Sequence, residues 1–248
     1  GKDALGTATT TCNSIGIGQS ALGGAVTTGL YNLAIGYYTM DALTSGIDNV
    51  AVGRNALGAS TTGCCNIAIG QLALGAGVTT GNLNIALGYA TMDALTTGAQ
   101  NVAIGDQALG AATTACLNVA IGSTALGGAV TTGKCNIAIG VTTMDALTSG
   151  ANNIAMGQNA LGAATTACNN IGIGNAALSG ALVKSGSNDA CNNIGIGSGA
   201  LQALTCGLNN IALGLQAADA LTTGKCNVAI GKDALGTATT TCNSIGIG

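Results

Sequence analysis

Along the whole chain a short alternation of large aliphatic and small residues recurs, behind an asparagine and ahead of a glycine. Asn66-Ile67-Ala68-Ile69-Gly70 is one instance, and its glycine has counterparts at 18, 36, 53, 88, 105, 122, 140, 157, 174, 197, 214, 231 and 248. The spacing is 17 or 18 residues, with one gap of 23, so the chain divides into fourteen coils. Two residues before the closing glycine the residue is always Ala or Gly, and its two flanks are always Ile, Val, Leu or Met. Four before the glycine stands Asn, replaced only by Ser14 and Ser244. Nine before it stands Thr, except at Asn188, and four after it Leu or Met, except at Ala218.

Large-small-large is a period of two, which predicts a short strand with both aliphatics on one face. A 17-residue coil is too short for a strand-helix-strand crossover and has room for two such strands and two turns. One coil cannot bury its own apolar face, so the coils must stack. The pattern therefore predicts an all-β fold, a parallel β-solenoid or β-roll of about fourteen coils of 17–18 residues, one of them with a 6-residue insertion. The aliphatic positions are expected to form continuous ladders, and the Asn and Thr positions hydrogen-bonding ones.

A longer rhythm overlies the short one. Thr39-Met40-Asp41-Ala42-Leu43, Thr91-Met92-Asp93-Ala94-Leu95 and Thr143-Met144-Asp145-Ala146-Leu147 are spaced 52 residues apart, which is three coils. The rhythm breaks at residues 179–190, where the extra residues are expected to leave the stack as a protruding loop with Lys184, Asn188 and Asp189 as a possible contact. Residues 1–18 and 231–248 are identical, which reads as one continuous solenoid over 1–248 cut from a longer chain built of 230-residue units.

Composition narrows the function. Only 6% of residues are charged, the net charge is −3, and there is no His, Pro, Phe or Trp. That gives no basic footprint for nucleic acid, and no run of 18 apolar residues is present to span a bilayer. Without His or Glu, and with its nine Asp scattered, the chain offers no general base or clustered carboxylate pair, so no catalytic residue is assigned. Asp41, Asp93 and Asp145 read as turn-stabilising residues. Glycine-rich phosphate loops and the calcium-binding nonapeptide are absent, and neither metal nor cofactor is expected. Tyr31, Tyr37, Tyr38 and Tyr89 all lie within the first 89 residues and read as turn packing or an adhesive patch.

Most of the ten cysteines fall five or six residues before a closing glycine, at one corner of the coil. Stacking at that corner predicts disulfides Cys116–Cys135, Cys168–Cys191 and Cys226–Cys242, and hence an oxidising, extracellular setting. Cys12 would pair with a coil before residue 1, while Cys64, Cys65 and Cys206 have no evident partner.

The Asn-Ile-Ala-Ile-Gly block, followed by x-x-Ala-Leu and Thr-Thr-Gly, resembles the head repeats of trimeric autotransporter adhesins and the similar repeats of phage tail fibres and bacterial surface fibres. That resemblance implies a left-handed parallel β-roll, three chains around one axis and exposure at a cell or virion surface. It also implies a spacer or adhesive role toward a receptor or matrix, with Ala34, Ala51, Ala68 and Ala86 facing the neighbouring chains. Two other readings stand beside it. One is a single-chain solenoid joined end to end in a filament. The other is a protein that binds ice or another regular surface through its Thr ladder, although Thr-Thr pairs give one outward file rather than two.

Overall fold

In a computed structural model the chain is all-β and coils as a parallel solenoid, with no helix among the described residues. Residues 1–7, 13–182, 184–185 and 188–248 are described, without the side chains of 184, 185, 188 and 189. The chain forms two compact units, Gly1–Ser123 and Thr124–Gly248.

The first unit contains β1 (Ile15–Ile17), β2 (Leu33–Ile35), β3 (Val50–Val52), β4 (Ile67–Ile69), β5 (Ile85–Leu87), β6 (Val102–Ile104) and β7 (Val119–Ile121). Each pairs in parallel with the next, and the small residue always stands opposite its counterpart, as Ala51 does opposite Ala68. The second unit repeats the arrangement with β8 (Ile137–Ile139), β9 (Ile154–Met156), β10 (Ile171–Ile173), β13 (Ile194–Ile196), β14 (Ile211–Leu213), β15 (Val228–Ile230) and β16 (Ile245–Ile247). Between β10 and β13 the insertion forms a two-stranded antiparallel ribbon, β11 (Lys184–Ser185) with β12 (Asn188–Asp189). Residues 183, 186 and 187 of that loop lie outside the described residues.

Among the described residues each coil contributes one strand to the parallel stack, not the two expected. The rest of the coil is bent by left-handed residues. In nearly every coil three non-glycine residues take positive φ, as Asn55 (55°), Leu57 (49°) and Cys65 (58°) do in one coil and Asp48 (57°) does in the coil before. An L-residue in that region costs about 1–2 kcal/mol, so each needs compensation. The compensation is a hydrogen bond between coils. Asp48 N–H donates to Leu30 O at 3.1 Å, Asn55 N–H to Tyr37 O at 2.9 Å and Leu57 N–H to Ala73 O at 2.9 Å. The bend also throws the Leu57 side chain inward, where it is fully buried.

The core is thin. Its largest members are the Leu and Met four after the closing glycine, among them Leu22, Met40, Leu57, Leu74, Met92 and Leu109, joined by Leu43, Leu95 and Leu147. Opposite them lies the small residue of the strand: a Cβ added to Gly172 would rest about van der Waals distance from the Leu161 side chain, at 3.5 Å from Cδ1. Only Ala or Gly stands in the strand across from it.

Beside this core runs a ladder of buried asparagines. In the first unit it comprises Asn32, Asn49, Asn66, Asn84, Asn101 and Asn118; in the second, Asn136, Asn153, Asn170, Asn193, Asn210 and Asn227. Asn84 shows the repeating bond set. Its Nδ2 donates to Asn66 Oδ1 at 3.2 Å and to Gly98 O at 3.0 Å, and its N–H donates to Asn66 Oδ1 at 2.9 Å. Its own Oδ1 accepts from Asn101 N at 3.1 Å and Asn101 Nδ2 at 3.0 Å. All four hydrogen-bonding positions of the amide are filled. The ladder crosses the insertion without stretching, since Asn193 N lies 3.0 Å from Asn170 Oδ1 across 23 residues of chain. At the two ends Ser14 Oγ and the Ser244 N–H make the corresponding bonds to the ladder.

The closing glycine is fixed by two constraints. Gly70 has φ 134°, a region closed to L side chains, and a Cβ there would collide with the carbonyl of Gly88. Gly70→Ala is therefore expected to destabilise by at least about 3 kcal/mol, read as a lower chemical-denaturation midpoint. Asn84→Ala strands two donors of Asn101 and the acceptor Gly98 O, and leaves Asn66 Oδ1 with only the backbone N–H of residue 84; about 3–5 kcal/mol of stability is expected to go. An unchanged unfolding midpoint in Asn84→Ala would contradict the ladder.

Candidate functional site

The strands present the chain's most extended apolar surface. In all fourteen, neither flanking aliphatic is buried, while the small residue between them is buried in all but the first and last. Ile69 is 43% exposed and Met156 40%. This reverses the expected placement of Ala34, Ala51, Ala68 and Ala86. All four are wholly enclosed in the chain's own core and cannot face a neighbouring chain. The thin core is the reason: the side opposite a fully buried Leu must be small, so the period-two pattern turns its large residues outward.

Each unit thus carries two parallel columns of seven aliphatics with no charged or polar member. Side chains two apart along a strand stand about 6.7 Å apart and neighbouring strands about 4.8 Å, so fourteen of them cover about 450 Å². That lies in the middle of the range for the largest apolar patch on a typical monomer, about 300–600 Å², a patch that is often functional.

The cysteines do not form the predicted disulfides. None of the nine described cysteines is in one, and Cys12 lies outside the described residues. The corner contains two distinct slots. Cys135 and Cys226 occupy the left-handed one, at φ 58° and 57°, whereas Cys116 and Cys242 occupy the residue before it. The residue in register with Cys242 is accordingly Lys225, not Cys226. Cys168 and Cys191 do share a slot and stand in register. The Cys168 thiol nevertheless donates to Thr166 O at 3.6 Å, two residues back, as Cys64, Cys116 and Cys242 do to Thr62, Thr114 and Thr240. Among the described residues no group of three or more Cys, Asp, Glu or His stands where it could hold a metal ion.

The recurrent Thr-Met-Asp-Ala-Leu turn bonds within its own coil and to the coil before. Thr39, Thr91 and Thr143 hydroxyls donate to the carbonyls of the glycines that close their own coils, Gly53, Gly105 and Gly157, at 2.7, 2.7 and 2.8 Å. Asp93 Oδ1 accepts from Ala76 N, one coil back, at 2.9 Å. Asp41 and Asp145 lie against Gly24 and Gly128, where a Cβ would strike the carboxylate. Burial raises the Asp41 and Asp93 carboxyls above their usual range, offset in part by backbone N–H groups.

The threonines nine before the closing glycine spend their hydroxyls inside the stack, as Thr27 does on Leu43 O at 2.9 Å and Thr79 on Leu95 O at 3.0 Å. One outward hydroxyl file remains, including Thr28, Ser45, Thr62 and Thr80. The four tyrosines are exposed, and the rings of Tyr37 and Tyr38 meet edge to face with centroids 4.4 Å apart. Burial first, then the neighbouring Tyr38, hold the Tyr37 phenol above its usual range. Of the loop positions, Lys184 pairs with Asp189 and Asn188 with Ser185 through the backbone ribbon. No helix among the described residues is long and apolar enough to cross a membrane.

No protein-family model matches this chain, and no curated protein is significantly similar to it in sequence.

Asp93→Asn keeps an acceptor for Ala76 N–H and removes the cost of a half-buried charge. Because the folded carboxyl titrates above 3.8, its usual value, ionisation weakens the fold as pH rises through that raised pKa. The variant is expected to be the more stable at pH 7, with the advantage vanishing below about pH 4. Paired melting curves across that range check it, and an advantage that grew on acidification would contradict it.

Proposed function

We propose that the chain is a structural repeat segment of an extracellular fibre, shaft or head, that associates with other copies of itself through the outer strand face and performs no catalysis. One observation carries the reading: an aliphatic pair stands in every strand of each unit, and none of its members is buried. A soluble spacer with no partner would gain from polar residues there, as one-sided sheets ordinarily show. Identical columns on identical chains are self-complementary, and two such faces can pack about 10 Å apart as in a sandwich. One unit's face, at about 450 Å², supplies more than half of the roughly 800 Å² per partner of a standard stable interface.

The resemblance to trimeric adhesin heads and tail-fibre repeats supplies the extracellular surface and the spacer or adhesive role. With the small residues turned inward, the contact between chains falls to Ile, Val, Leu and Met rather than to Ala34, Ala51, Ala68 and Ala86. The ice-binding alternative is weakened by the inner threonines, whose hydroxyls are already engaged. A single-chain filament would leave the columns in water.

Sedimentation equilibrium on the 248-residue chain is expected to show a dimer or trimer at micromolar concentration. Placing lysine at Ile69, Ile104, Met156 and Ile196 together should give a folded monomer, since each charge would otherwise be buried unpaired. A wild-type chain that stays monomeric at about 100 μM, far above the dissociation constants of stable assemblies, overturns the reading.

A further inference from the structure

A separate feature lies in the turn after the closing glycine. Five residues after that glycine stands Asp41 in one coil, then Gly58 and Gly75 in the next two. There the surface sinks into a trough of about 200 Å³, lined by Tyr38, Asp41, Asn55, Gly58, Ala59 and Gly75. At about 30 Å³ per liquid water that is the room of six or seven waters. It is below the size of a drug-sized site and suited to one ring.

Its walls are chemically mixed. Tyr38 supplies an aromatic ring, steadied edge to face by Tyr37. Asn55 is the residue one coil on in the same file; its backbone is anchored by N–H donation to Tyr37 O at 2.9 Å. Its amide finds no partner among the described residues, leaving a donor and an acceptor for a ligand. Asp41 closes one end with a carboxylate already held against Gly24. The glycine floor lets a flat ligand lie against backbone. A fitting ligand has an apolar ring face, adjacent groups that both donate and accept, and a hydroxyl for the carboxylate.

We propose that this trough binds a pyranose ring, as a free sugar or the terminal residue of a glycan. The C–H face of the sugar packs on Tyr38, neighbouring hydroxyls bond the Asn55 amide, and another donates to Asp41. The three-coil rhythm provides an internal comparison. At the matching positions of a later super-unit stand Thr142, Asp145, Asn159, Gly162, Ala163 and Ser179. Carboxylate, amide and first floor glycine are kept, the ring is lost and the second floor glycine becomes serine, so that copy should not bind. The proposal gives the adhesive side of the fibre reading a ligand class. It uses no residue of the strand face, so either can fail alone.

The test is saturation-transfer difference NMR on the 248-residue chain, which reads the sugar whatever the size of the assembly. The probes are methyl β-glucopyranoside, methyl β-galactopyranoside and N-acetylglucosamine. A single ring with few contacts should bind at least one of them with Kd in the low millimolar range. Tyr38→Ala should weaken that binding by about tenfold or more, Tyr38→Phe should retain it, and Thr142→Ala should leave it unchanged. Asn55→Gly, which suits the φ of 55° at that position, should weaken it with the fold intact by circular dichroism. No transfer to any of the three sugars overturns the proposal. So does transfer that survives Tyr38→Ala, or methylammonium competing more strongly than every sugar, which would make the trough a cation site.

Discussion

The buried asparagine ladder is the constraint on which the rest of the structure depends. Each rung bonds sideways to the rung before it and outward to a turn carbonyl of the next coil, so every coil is set in height and register by one side chain. A backbone that turns so sharply leaves many N–H and C=O groups unable to pair within their own coil. Burying them unpaired would be prohibitive. Asn alone among small side chains both donates twice and accepts twice. Aspartate could not donate, and serine serves only at Ser14 and Ser244.

Once register is fixed, packing follows from width. The left-handed bend at Leu57 and its equivalents sends a large side chain inward, across from the strand. The strand must therefore turn its small residue inward and its two large ones outward. An unusual surface results: a sheet whose inner face is Ala and whose outer face is Ile, Val, Leu and Met. The interior has no aromatic residue and little volume, so stability comes from hydrogen bonds repeated coil after coil more than from a bulky core. That is the nearest-neighbour stability expected of repeat proteins.

Much of this was legible in the sequence. The period, the parallel stacking, the strand at each Asn-aliphatic-small-aliphatic block, the glycine turn and the insertion site all follow from spacing alone. The direction of the strand face was not. The smallness of Ala34 and its equivalents was visible, but a close neighbour could have been another chain or the same coil. Only the bend at Leu57 decides between them, and leucine at positive φ carries no mark in the sequence. The same blind spot hid the single strand per coil. The cysteines misled for a related reason: Cys226 and Cys242 stand one residue apart in the repeat, and one residue separates a left-handed slot from an extended one. The trough beside Tyr38 was half visible, since the tyrosines and Asp41 were noted. Its floor depends on two glycines, Gly58 and Gly75, brought together by stacking.

The measurement that tests this account most directly is hydrogen exchange at the asparagine side chains. The Nδ2 protons of Asn49, Asn66, Asn84 and Asn101 should be protected as strongly as the backbone amides of the strands beside them, because both open only when coils separate. Side-chain amides that exchange at the rate of exposed asparagine, while the strand amides remain protected, would show that the coils are held in register by something other than this ladder.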